Sequence, residues 1–89
     1  LPKIQKDEVA FARLLRGYGV NSNDTVKSTA LIYMLVERGD YERALPIIDR
    51  LIDGNNPVPN LYYWRGECLY HLQDYDESWY AFEDYLEVL

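Results

Sequence analysis

One short segment of this chain occurs twice, 34 residues apart, and it constrains the fold more than any other feature. Gly39–Ala44 reads Gly-Asp-Tyr-Glu-Arg-Ala, and Gln73–Ser78 reads Gln-Asp-Tyr-Asp-Glu-Ser. In each copy, an aspartate that can cap a helix lies between two apolar helical patterns. A period of this length, built as helix-turn-helix, is typical of stacked helical repeats. The repeat therefore predicts an all-α chain in which pairs of antiparallel helices recur at a fixed interval.

The apolar patterns and the turn formers together predict about five helices in a single domain covering residues 1–89. A chain of this length has a thin core, so its helices depend on one another for burial. An N-terminal helix is expected first, level in the repeat with the second helix of a pair, and two repeats follow it. In order, the predicted units are 4–16, 25–52 and 60–89.

Turn and cap residues set the expected ends of these helices. Gly17 and Gly19 are expected to stop the first helix, because glycine favours helix C-termini. Asp40 and Asp74 are expected to cap the helices that follow the two turns. Asp74 is expected to be the better cap, since Glu77 three residues later completes an acidic capping box.

Three irregular segments lie between or inside the predicted helices. Asn21–Asp24 is expected to form a turn that ends in a helix cap, and Asp53–Asn60 a loop dense in turn formers. Pro46 falls inside the third helix, where its missing N–H is expected to bend the helix. The alternative is that this helix begins later than Tyr41.

Charge and cysteine content exclude several classes of function. The net charge is −6, and residues 66–89 hold seven acids and no lysine or arginine. This balance argues against a nucleic-acid backbone or an anionic membrane as the main partner. The single cysteine rules out an internal disulfide and favours a reducing, cytoplasmic location. The sequence contains no apolar run of the roughly 18–20 residues that a membrane span needs.

A catalytic, metal or cofactor site is not expected. Cys68 and His71 lie three residues apart on one predicted helix, but a Cys–His nucleophile also needs an orienting group and an oxyanion site. The acids near Asp74 lack the spacing of a calcium loop. Gly17–Gly19 lacks the lysine of a phosphate loop. The sequence therefore predicts a protein that is not an enzyme and that binds no metal or cofactor.

At the paired turns the chain resembles tetratricopeptide repeat proteins over residues 25–89. In the second copy the matching positions are Gly66, Leu69, Tyr75, Ser78 and Phe82; in the first they are Leu31, Leu35, Tyr41, Ala44, Ile48 and Leu51. The chain departs from the family pattern at Ile32, Arg65 and Tyr85. The resemblance implies a short right-handed superhelical solenoid with a concave groove, lined by the first helix of each pair.

That resemblance also implies which residues bind a partner. The first pair contributes Val26, Thr29, Tyr33, Val36 and Glu37 to the groove, and the second contributes Asn60, Tyr63, Glu67, Tyr70 and His71. Such an aromatic and apolar lining suits an amphipathic helix or an extended peptide. On the last helix, Trp79, Phe82 and Leu86 are expected to form an exposed face, through which the chain forms homo- or hetero-oligomers.

A second, weaker resemblance concerns the small tetratricopeptide-like chaperones of needle subunits in bacterial type III secretion. Arg38–Tyr41, Trp64, Cys68 and His71 match them in order and spacing. The resemblance implies that the groove sequesters an apolar helix of a secreted subunit, and that a small helical cochaperone covers other apolar surface. The sequence leaves open an alternative, in which the chain is a structural scaffold fragment of a larger repeat protein or a self-associating adaptor.

Overall fold

In the computed structural model, the described residues are 6–20, 25–54 and 58–89, and all regular structure within them is helical. The prediction of an all-α chain with about five helices is confirmed. In chain order the helices are α1 (Lys6–Val20), α2 (Thr25–Glu37), α3 (Tyr41–Asp53), α4 (Pro59–His71) and α5 (Tyr75–Val88). The expected turn at Asn21–Asp24 and the loop residues Asn55–Pro57 lie outside the described residues.

Each helix packs against the next one along the chain, so the contacts follow the sequence from α1 to α5. The core is centred on α2 and α3 and is completed from α4. Its buried members are Leu31, Ile32, Leu35, Ala44, Ile47, Ile48, Leu61 and Cys68. Helix α1 adds partly buried side chains to this cluster. It is also held by the Arg38 guanidinium of the α2–α3 turn, which lies 4.0 Å from the centre of the Phe11 ring.

The two Asp-Tyr turns have the same backbone structure. Gly39 and Gln73 both adopt positive φ, 75° and 67° respectively. Around each of them two N–H groups turn back to the preceding helix, which is the Schellman arrangement for ending a helix. The bonds run from Gly39 to the Val36 carbonyl (3.0 Å), Asp40 to Leu35 (2.8 Å), Gln73 to Tyr70 (3.0 Å) and Asp74 to Leu69 (2.9 Å). The structure thus repeats at the same 34-residue interval as the sequence.

The predicted ends of two helices are corrected by the structure. Helix α1 runs on to Val20 and passes through both glycines that were expected to stop it. A glycine inside a helix costs only about 1 kcal/mol relative to alanine, so it weakens a helix without necessarily ending it. Helix α4 begins at Pro59 because proline suits the first helical position.

The strengths expected of the two aspartate caps are reversed. The Asp40 carboxylate accepts a hydrogen bond from the Arg43 backbone N–H at 3.4 Å and pairs with its guanidinium at 3.4 Å. The Asp74 side chain makes no capping bond among the described residues. The repeat places Glu77 where Arg43 stands, so this position offers Asp74 no counterpart of the guanidinium that pairs with Asp40.

Helix α3 is continuous from Tyr41 to Asp53 and contains Pro46. The alternative of a later start is therefore wrong. Pro46 is exposed, and the α3 residues that follow it, Ile47 and Ile48, are buried in the core. The helix thus keeps its packing face on both sides of the proline.

Helices α4 and α5 approach most closely at Gly66. The Ser78 hydroxyl is buried and donates a hydrogen bond to the Gly66 carbonyl at 2.8 Å. A Cβ atom at Gly66 would lie 2.5 Å from Cε1 of Phe82, so only glycine fits beneath the ring. Phe82 was expected on an exposed face, but it is half-buried because this close approach seats its ring against α4.

Candidate functional site

An apolar cleft lies between α2 and the Trp64 side chain of α4, and we call it the α2 cleft. It has a volume of about 560 Å³. Its lining consists of Thr25, Val26, Thr29, Ala30, Tyr33, Met34 and Trp64. Val26 is 80% exposed and Tyr33 is 55% exposed, so both side chains offer large apolar surfaces to solvent. Exposed apolar surface grouped in a concavity is typical of a ligand or protein contact site.

The hydroxyl groups in the α2 cleft do not make it polar. The Thr29 hydroxyl donates to the Thr25 carbonyl of its own helix at 2.7 Å. That bond satisfies the hydroxyl within the helix. The Trp64 ring closes the opposite side. The cleft therefore favours an apolar side chain over a charged group.

Three of the predicted groove residues share this cleft, namely Val26, Thr29 and Tyr33. Trp64 was not among the predicted groove residues. The signal that finds it is the repeat itself, since Trp64 stands 34 residues after Ala30, which also lines the cleft. Two helix pairs that present equivalent positions to one cleft have their first helices facing the same side.

Three predicted groove residues, Tyr63, Glu67 and His71, follow one another at intervals of one turn, and we call them the α4 ladder. The phenol of Tyr63 lies beside the Glu67 carboxylate, whose negative charge raises the pKa of Tyr63, with burial and a hydrogen bond to Glu67 adding to the effect. One turn later, Nε2 of His71 lies 3.6 Å from Oε2 of the same carboxylate. Tyr63 also contacts α5, with ring centroids 5.5 Å from Tyr85. Tyr63 therefore faces α5, and its hydroxyl group stays protonated and able to donate a hydrogen bond.

At the far end of α4 the rings of both Asp-Tyr turns meet, and we call this group the turn cluster. His71 stacks on Tyr41 with centroids 4.3 Å apart and planes 6° from parallel. Tyr70 packs edge-on against His71 and against Tyr75, at 5.6 Å and 5.5 Å. Two predicted groove residues, Tyr70 and His71, therefore bind the turns to each other and lie away from the residues that line the α2 cleft.

The remaining predicted groove residues differ in their surroundings. Val36 is half-buried and packs against the core. Glu37 and Asn60 are exposed at the end of α2 and the start of α4 respectively. The predicted groove set is thus divided among the α2 cleft, the α4 ladder, the turn cluster and the core.

A third apolar surface lies on the outer side of α5. Trp79 is 66% exposed and Leu86 is 68% exposed, as the sequence led us to expect of these two. Tyr75, one turn before Trp79, is 57% exposed. We call these residues and Glu83, which lies between them and accepts a hydrogen bond from Nε1 of Trp79 at 2.7 Å, the α5 face.

The groups that the sequence suggested for chemistry are placed for packing. Burial, aided by the nearby Glu67 and Asp49 carboxylates, raises the pKa of the Cys68 thiol to about 12, so the thiol is protonated at neutral pH. A protonated, buried thiol is a poor nucleophile. His71 is engaged by Tyr41 and Glu67.

Two further kinds of feature, a metal-binding cluster and a membrane-spanning helix, are absent from the described residues. In residues 6–20, 25–54 and 58–89, no three histidine, cysteine or acidic side chains are grouped to hold a metal ion. In the same part of the chain, every helix is too short or too polar to cross a membrane.

Comparisons of this chain with protein-family models, with curated proteins and with solved structures found no match.

Proposed function

We propose that this protein is a non-catalytic interaction module that binds an apolar side of a partner helix, or an extended peptide, in the α2 cleft. The observation that carries the proposal is the cleft itself, in which Val26, Tyr33 and Trp64 present exposed or half-buried apolar surface around one concavity. Tyrosine and tryptophan give large contact areas at low entropy cost and are enriched where binding energy is concentrated.

The proposal includes a finer description of the fold. The helix pairs are tetratricopeptide-like repeats, and α2 and α4 line the concave side of a short right-handed solenoid. The identical turns at Gly39 and Gln73 and the shared cleft of Ala30 and Trp64 support this arrangement. A chaperone that keeps a secreted subunit monomeric in the cytoplasm is one form of the function, in which the occupant is the subunit's apolar helix.

A photocrosslinking experiment tests the site directly. The residue Tyr33 is replaced by p-benzoylphenylalanine, and the crosslinked partner is identified by mass spectrometry from cells that express the protein. The control carries the same group in place of Val58, an exposed apolar residue that lies outside both the cleft and the α5 face. We expect a discrete partner from position 33 and none from position 58. Equal crosslinking from both positions would contradict the proposal.

The partner peptide found in this way is then titrated by calorimetry. Val26→Glu places a charge in the cleft, and the high exposure of Val26 means that the fold keeps its thermal midpoint. We expect affinity to fall about tenfold or more, since the new charge is desolvated by an apolar ligand. The control Val58→Glu introduces the same charge at an exposed valine outside the cleft, and its affinity stays at the wild-type value.

The sequence also left open a scaffold that works by self-association. Sedimentation velocity of the isolated chain separates this alternative from the proposal. A monomer whose sedimentation coefficient is unchanged over a hundredfold range of concentration supports binding to a different partner. Concentration-dependent dimers that Val26→Glu disrupts would show instead that the cleft holds a second copy.

A further inference from the structure

The way in which α4 packs on α3 provides a template within this chain. Tyr41 of α3 stacks on His71, and Asp49 of α3 accepts a hydrogen bond from Nε of Arg65 at 2.7 Å. The start of α3 thus meets the end of α4, and the two helices run antiparallel. Leu45, one turn from both Tyr41 and Asp49, is partly buried against the core. This side of α3 is a covered face.

The same positions on α5 are exposed. A shift of 34 residues carries Tyr41, Leu45, Asp49 and Ile52 onto Tyr75, Trp79, Glu83 and Leu86, which are the α5 face. Leu45 is half-buried, whereas Trp79 is 66% exposed; Ile52 is half-buried, whereas Leu86 is 68% exposed. The apolar character of the covered face is retained on α5, and Trp79 is larger than the leucine it replaces. Tyr75 contacts Tyr70 at one edge, whereas Trp79 and Leu86 are mostly exposed.

The charge pattern of α5 shows what kind of helix fits there. Where Asp49 receives Arg65, the α5 face offers Glu83, and residues 66–89 hold seven acids and no lysine or arginine. Residues 66–89 therefore supply no lysine or arginine that could pair with Glu83 as Arg65 of α4 pairs with Asp49 of α3. A covering helix with a basic side chain at that place would complete both the ion pair and the apolar contact.

We propose that the α5 face docks a basic amphipathic helix of a partner protein, antiparallel to α5, as α4 docks on α3. The template specifies the partner helix: a lysine or arginine lies opposite Glu83, and an aromatic or histidine side chain six residues later, at the spacing of Arg65 and His71, lies against Tyr75. This inference stands apart from the α2 cleft, which it does not use.

A second copy of this chain is not the occupant that the structure favours. The covering role belongs to α2 and α4, and within the described residues both already have a helix on that side: α1 packs on α2, and α3 packs on α4. The repeat register places α1, with Ala10 and Leu14 level with Ala44 and Ile48, in the same class as α3 and α5. A copy would have to unpack its own core to supply a covering helix.

A peptide made from the template is the probe. It has the sequence of residues 58–73 with Gly66→Ala and Cys68→Ala, which favour helix formation and remove the thiol, and Glu67→Lys, which makes it basic. Its binding to the full chain is measured by fluorescence anisotropy. We expect saturable binding that Trp79→Ala weakens about tenfold or more, since a central tryptophan is a typical hot spot. Tyr33→Ala, in the α2 cleft, leaves this binding unchanged.

Charge reversal tests the orientation of the peptide. Glu83→Lys in the chain is expected to weaken binding of the first peptide about fivefold. A second peptide that also carries Arg65→Glu is expected to bind the Glu83→Lys variant with the original affinity and to bind the wild-type chain more weakly. Glu83 is exposed in the chain, and circular dichroism checks that the Glu83→Lys variant keeps the wild-type helix content. This recovery supports the pairing of residue 65 of the peptide with residue 83.

Three results would overturn the inference. The first is no saturable binding of the basic peptide to the wild-type chain. The second is binding that Trp79→Ala leaves unchanged and Tyr33→Ala removes, because the peptide then occupies the α2 cleft. The third is self-association of the chain that Trp79→Ala abolishes, which makes a second copy the occupant. A failure of the α2 cleft in photocrosslinking leaves these outcomes unaffected, so the two proposals are tested separately.

Discussion

The two helix pairs, α2–α3 and α4–α5, have turns of the same backbone structure but bury very different amounts of side chain. Both turns end a helix with the same Schellman hydrogen bonds around a residue of positive φ. Where the pairs cross, the first has Ile32, Ala44 and Ile48, all buried, and the second has Gly66, Ser78 and Phe82. The first pair fills its interior with two branched side chains. The second brings its helices together over a glycine and covers the contact with one ring.

The difference shows that the backbone repeat and the packing repeat are separable. The turn needs a residue that tolerates positive φ and free N–H groups, and both copies supply these. Packing depends on neighbours on either side: α1 and α4 flank the first pair, whereas the outer side of α5 is exposed. The first pair is consequently the structural centre of the chain, and the second pair leaves one side of its last helix exposed, in addition to the α2 cleft on the first pair.

The largest expected effect is a difference in cost between equivalent truncations. Ile48→Ala is expected to lower the free energy of unfolding by about 4 kcal/mol, because the side chain is fully buried and leaves a cavity. Phe82→Ala is expected to lower it by about 2 kcal/mol, since that ring is only partly buried. Urea denaturation followed by circular dichroism measures both, with Ile48→Val as a mild control of about 1 kcal/mol. Equal losses at the two positions would show that the pairs are energetically equivalent.

The next prediction transplants the packing of the first pair into the second. Gly66→Ile is expected to cost about 3 kcal/mol, because even the Cβ atom would lie 2.5 Å from the Phe82 ring. The double variant Gly66→Ile/Phe82→Ile copies the residues at positions 32 and 48, and is expected to recover about half of that loss. Phe82→Ile alone is the control. If Gly66→Ile were as stable as the wild type, the ring would have moved away without cost, and the close approach at Gly66 would not constrain the pair.

The repeat also explains how far the sequence predicts the fold. Turn chemistry predicted α2, α3 and α5 closely, because glycine, aspartate and the apolar period all point to the same boundaries there. The prediction was wrong at Gly17 and Gly19, which lie inside α1, because glycine disfavours a helix interior only weakly. It was also wrong at Asp74, where the acidic capping-box motif is present but the side chain makes no capping bond.

The candidate site was harder to predict because it depends on how helices are rotated about their axes. Tyr33, Tyr63 and Tyr70 are all surface residues on the first helix of a pair, and the sequence grouped them in one groove. The structure places Tyr63 against α5 and Tyr70 in the turn cluster. The sequence pattern contains the spacing along each helix, but not the angle between α2 and α4 that brings Trp64 to the α2 cleft.

The pH dependence of stability tests whether water is excluded from the junction between the pairs, where the Cys68 thiol is buried. The folded state keeps the Cys68 proton up to a pKa of about 12, whereas an unfolded chain loses it near pH 8.5. The contribution of this thiol is therefore complete at neutral pH and is lost as pH rises above 8.5. Between pH 8.0 and 9.5 we expect a loss on the order of 1 kcal/mol in the free energy of unfolding.

Urea denaturation at the two pH values measures this loss. In the control variant Cys68→Ala, the free energy of unfolding is expected to fall less between these pH values, and the difference from the wild type is the contribution of the thiol. If the wild type and Cys68→Ala showed the same pH dependence, the thiol would ionise in the folded state, and the contact of α4 with the first pair would be open to water.

The smallest expected effect distinguishes the two turns, which share the same backbone hydrogen bonds. Gly39 adopts its positive φ without strain, but Gln73 has a Cβ atom that disfavours this conformation. Gln73→Gly is expected to raise the free energy of unfolding by about 0.5–1 kcal/mol, and Gly39→Gln to lower it by about 1 kcal/mol. Both residues are exposed, and a Cβ atom at Gly39 would lie 3.9 Å from the Tyr41 ring, so packing makes no contribution. The double swap is expected to be close to the wild type. If the two single changes had the same sign, the turns would not be equivalent in energy, and the repeat would be one of backbone shape only.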